Sequence, residues 1–137
     1  MPPSFCEFGA SKRRMGSGAH EMNQNSGGIA KKGYVLVYIT ASGPEEARSI
    51  AKTLVEKRLV ACANIVPKIE SIYWWKGKIF EEGETLILAK TTRKKMQAVI
   101  SEAKTIHSYE VPDITVIEIL EGHPSYLKWI KEETRSD

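Results

Sequence analysis

The sequence predicts an α+β domain of four strands and three helices, and three observations lead there. β-Branched and aromatic runs recur at 34–40, 61–75, 85–91 and 114–120. Between them, at 47–55 and 96–106, apolar residues recur three and four apart, the period of an amphipathic helix. The order is therefore β-α-β-β-α-β, with a further helix opening at Pro124.

The elements follow in turn. Tyr34-Val-Leu-Val-Tyr-Ile-Thr40 is the first strand. Ser42-Gly-Pro-Glu45 has the Ser-x-x-Glu form of a capping box, and Pro44 suits a first helical turn. Ala47, Ile50, Ala51, Leu54 and Val55 form the stripe of the first helix, which runs to Arg58. Ala61 to Trp75 returns to strand, and Pro67 predicts a bulge within it. Lys76-Gly77 marks a turn, and Glu81-Glu-Gly-Glu84 reads as a second polar interruption before the strand Thr85–Thr91. Met96, Val99, Ile100, Ala103 and Ile106 give the second helix its core stripe. Ile114 to Leu120 is the last strand, and Tyr126, Leu127, Trp129 and Ile130 are the expected inward face of the final helix.

Two βαβ crossovers with a hairpin between them make the split βαβ, or ferredoxin-like, sandwich, with helices on one sheet face only. By alternation Ile65, Pro67, Ile69, Tyr73 and Trp75 share one side of the second strand, and Val66, Ile72 and Trp74 the other. A hairpin apolar on both sides, with Ile72, Tyr73 and Trp74 near its tip, is an aggregation hazard in a monomer. These three residues are accordingly the expected contact with further subunits of an obligate oligomer.

Composition excludes several classes of function. Of 137 residues, 42% are hydrophobic and 27% charged, which supports a packed core. No apolar run approaches the roughly 20 residues of a membrane span, so direct membrane insertion is not expected. The net charge of +3 resides in residues 1–33, which carry five basic and two acidic side chains; residues 34–137 carry fifteen of each. A neutral domain lacks the basic surface of a nucleic-acid binder. Residues 1–33, whose second half (15–33) has the Gly-, Ser- and Asn-rich composition of a flexible linker, read as a disordered tail or upstream segment before a domain at 34–137. Two cysteines give no disulfide framework, and with no secretory signal the expected compartment is the cytoplasm.

Five ordered blocks give a more specific signal: Ala51–Asn64, Ser71–Ile79, Leu86–Thr92, His107–Ile114 and Tyr126–Ile130. Together they resemble the CutA divalent-cation-tolerance family over nearly all of 34–137. The resemblance implies a ferredoxin-like subunit in a tight homotrimer, its long second and third strands extending sheets across subunits. It further implies a link to tolerance of copper and other divalent metals, with copper binding in some members and no established enzymatic activity. Mammalian relatives are associated with anchoring acetylcholinesterase at membranes, which implies a possible protein partner. This chain departs from the family pattern at Ser108, where proline is usual, at Asp113, where glutamate is usual, and at Ile39, where one bacterial ligand pattern has cysteine.

Copper favours thiolate and imidazole, with carboxylates as supplements. The candidate metal ligands are therefore Cys62, His107, Glu110 and Asp113, the last three spaced by three residues in one loop. Each also has a structural role open to it: Cys62 as a small buried hydrophobe, His107 at a helix C-terminus, the carboxylates as surface or interface partners. With so few soft ligands, a copper or other divalent site is expected to be weak or shared between subunits. Lys90, the one charge within Leu86–Thr92, must snorkel, pair or face a cavity. It serves either as an intersubunit ion pair or, with Tyr109 and Trp75 as walls, as the anion-binding group of an interface cleft like those of the PII signalling trimers. No catalytic constellation appears, and no organic cofactor is implied.

Overall fold

Residues 32–135 are described by the computed structural model. Most of the predicted tail lies outside them. Gly33 is already tied in, its carbonyl accepting from Arg93 N at 3.0 Å.

The alternation at the start of the domain becomes β1 (Tyr34–Ala41), with Val35, Val37, Ile39 and Ala41 wholly buried. Its helix, α1 (Pro44–Glu56), buries Ala47, Ile50, Ala51 and Leu54. Val55, expected in that stripe, is exposed. β2 (Cys62–Trp75) and β3 (Lys78–Thr92) form one long hairpin around Lys76-Gly77, both at positive φ (46° and 78°). That geometry belongs to a two-residue turn whose twist matches its strands. A short 3-10 turn, Arg93–Lys95, leads into α2 (Met96–Ile106), and β4 (Ile114–Ile119) and α3 (Pro124–Glu133) complete the domain.

The sheet order is β2-β3-β1-β4 with every neighbouring pair antiparallel. α1 and α2 cover one face, where Ile50, Leu54, Val99 and Ala103 join the odd-numbered residues of β1 and Ile87 and Ala89 of β3. The second face is apolar too. Leu36, Tyr38, Leu86 and Leu88 are only half-buried there, and Ile117 is exposed.

Three sequence expectations are corrected. Glu81–Glu84 does not interrupt the third strand, because its backbone pairs continuously with Ile69–Ile72 and only its side chains are polar. The bulge expected at Pro67 is present, but it ends the simple alternation along β2. Ile65 pairs with Ile87 and Ile69 with Glu84, so β2 advances four residues while β3 advances three. An odd step on β3 changes face, and Ile69, Tyr73 and Trp75 therefore lie opposite to Ile65. In the final helix only Ile130 is buried; Tyr126 and Trp129 pack ring against ring at a tilt of 30° and remain exposed.

β1 ends at Ala41, opposite Thr85. Lys78–Glu84 consequently pairs with β2 alone, a two-stranded arm reaching roughly 23 Å beyond the sheet. Along it Ile72, Trp74 and Ile79 are 64%, 59% and 56% exposed.

Candidate functional site

The loop between α2 and β4 holds three of the four candidate metal ligands, and its conformation begins with the start of α1. Gly43 is the N-cap and has no side chain to cap with. Glu46, at the third helical position, reaches back instead: its Oε1 accepts from Ser42 N at 2.9 Å and Ser42 Oγ at 2.7 Å. The capping box predicted with Ser42 as cap and Glu45 as its partner does not form: Gly43 takes the cap position, and Ser42, one residue before it, donates to Glu46 instead. The other oxygen, Oε2, accepts from Ser108 N at 2.6 Å. Burial pushes this carboxyl up, but the hydrogen bonds from Ser42 and Ser108 outweigh it and bring it down to about 2.

His107 closes α2 beside it, with a fully buried ring. Its Nδ1 accepts from Tyr109 N at 3.1 Å, which puts the ring hydrogen on Nε2, where it is donated to Thr40 O at 2.7 Å. Both ring nitrogens are therefore spent on backbone, and neither has a lone pair to offer a metal. Glu110 is exposed; Asp113 is half-buried, and its carbonyl accepts from Thr40 N at 3.3 Å.

Cys62 belongs to a different part of the sheet. It pairs with Lys90, whereas Thr40 pairs with Leu86. Four residues of β3 separate the two positions, roughly 13 Å along the strand. Cys62 Sγ and the Tyr126 hydroxyl are hydrogen-bonded at 3.2 Å. That bond, with some burial and the charge of the sulfur when ionised, pushes the Tyr126 phenol up to about 12. Among the described residues no three His, Cys, Asp or Glu side chains are grouped so as to hold a metal ion. The four candidates do not fit a metal within one subunit.

Lys90, Tyr109 and Trp75 are likewise spread along β3. Lys90 Nζ donates to Asn64 Oδ1 at 3.0 Å and lies 5.9 Å from the Tyr126 ring centre. Tyr109 bonds Glu84, six residues away, and Trp75 pairs with Lys78, twelve away, placing them about 20 and 40 Å along the strand from Lys90. They do not line a common cleft in one subunit. Trp75 is buried, and Lys76 Nζ lies 5.3 Å from its ring.

A buried acidic cluster went unnoticed in the sequence. Glu84 is buried on an arm of only two strands, and its carboxylate accepts from Ser71 Oγ at 2.6 Å and Tyr109 Oη at 2.9 Å. Tyr73 Oη donates to the neighbouring Glu82 and stacks on Phe80. Burial, the bond to Glu84 and the charges of Glu84, Glu82 and Glu46 all push the Tyr109 phenol upward. The sequence signal was the alternation Glu82-x-Glu84 opposite Tyr73-x-Ser71, visible only once the register is known.

The family described as the CutA1 divalent ion tolerance protein matches residues 35–133 of this chain. The divalent-cation tolerance protein CutA of Thermus thermophilus is 46% identical over 99 residues, spanning 72% of this chain and 96% of that protein. A rice relative, Protein CutA 1, chloroplastic, is 38% identical over 101 residues, spanning 74% of this chain but only 57% of its own length. Among solved structures, the periplasmic divalent cation tolerance protein CutA from Archaeoglobus fulgidus superposes with a TM-score of 0.72 at 43% identity. It covers 74% of this chain and 99% of that one.

Proposed function

Since the chain belongs to the CutA1 divalent ion tolerance family, we propose that it serves divalent-cation tolerance as a non-catalytic homotrimer of ferredoxin-like subunits. In this reading copper(II), or another divalent cation, is something the trimer meets through weak binding and not a resident cofactor. The strand order, with α1 joining β1 to β2 and α2 joining β3 to β4, supports the split βαβ arrangement.

The two-stranded arm carries the proposal. A lone hairpin is marginal in water, and this one exposes Ile72, Trp74 and Ile79. Covering such side chains contributes about 1.5–3 kcal/mol each, and the half-buried second face of the sheet gives a neighbouring arm an apolar bed. Neighbouring subunits are the occupants in this reading, and the unpaired outer edge of β2 allows sheet extension between them. The engaged nitrogens of His107 and its distance from Cys62 favour a role without nucleophile–base chemistry.

Sedimentation equilibrium tests the assembly. A mass of three subunits is expected for the wild type, and smaller species for Trp74→Asp; a wild-type monomer at micromolar concentration overturns the reading. A calorimetric titration with Cu²⁺ tests the metal. Weak binding indifferent to His107→Ala is expected, whereas tight, saturable binding abolished by His107→Ala or Cys62→Ser contradicts it. The named relatives are chloroplastic in one case and periplasmic in another, so the proposed cytoplasmic placement is decided by fractionation. Among the described residues no helix is long and apolar enough to cross a membrane.

A further inference from the structure

We draw no further inference here: the strongest candidate, the exposed apolar stripe of Ile72, Trp74 and Ile79 along the two-stranded arm of β2 and β3, belongs to the subunit contact already proposed, and nothing in the structure shows any other occupant that covers it.

Discussion

Replacing Glu46 by glutamine should cost more stability than an acid on a helix surface ordinarily would, and the loss should depend on pH. The carboxylate joins the first turn of α1 to the loop after α2 through Ser42 and Ser108. Those bonds hold its pKa at about 2 against an ordinary 4.5. At about 1.4 kcal/mol per pH unit, the difference sets a ceiling of roughly 3.4 kcal/mol. The side chain keeps 15% of its solvent exposure, and screening by that solvent reduces the figure to about 1.5–2 kcal/mol. Because the folded pKa is depressed, the stabilisation is complete above about 4.5 and fades as pH falls toward about 2. Urea unfolding of wild type and Glu46→Gln at one fixed protein concentration should therefore differ by about 1.5–2 kcal/mol at pH 7. At pH 2 the two should nearly converge, because the wild-type carboxyl is then substantially protonated. A difference below about 0.5 kcal/mol at neutral pH, or one that persists undiminished at pH 2, would refute the reasoning.

Other perturbations probe the same packing. Tyr109→Phe removes one of the two side-chain hydroxyls bonded to buried Glu84 and should destabilise by about 1–3 kcal/mol in urea; combined with Ser71→Ala, the losses should be non-additive. In Cys62→Ala the ultraviolet titration of Tyr126 should move down from about 12 toward the ordinary tyrosine value of 10.0, and an unmoved titration removes the role assigned to Sγ. Thr40 Oγ1 is buried without a hydrogen-bond partner among the described residues, so Thr40→Val should be neutral or stabilising by up to about 1 kcal/mol. At the hairpin turn, Lys76→Asn should stabilise by a few tenths of a kcal/mol, since asparagine tolerates positive φ, and Gly77→Ala should cost about 1 kcal/mol. Thermal unfolding of the pair reads both signs.

The candidate metal residues show how far sequence spacing reaches. His107, Glu110 and Asp113 were rightly placed in one loop, because three-residue intervals beyond a helix stripe are local information. Which atoms remained free was not local. The lone pair of His107 is taken by Tyr109 N, two residues away, and its hydrogen by Thr40 O, sixty-seven away. Cys62 was correctly placed on a strand, but its neighbours Lys90 and Tyr126 come from elements 28 and 64 residues further on.

The order of strands and helices, the hairpin turn, the Pro67 bulge and the absence of a charged excess from the domain were all determined by the sequence itself. The charge balance is a sum over the whole domain, and the other three follow from residues within a few positions of one another, where periodicity and turn chemistry act. Tertiary structure decided which face each hairpin residue occupies, which acid caps α1, and what every candidate ligand touches. One extra residue at the bulge reverses the face of everything beyond it on β2. Hydrogen-bond partners are then chosen by a register between distant strands, and no local pattern encodes that register by itself.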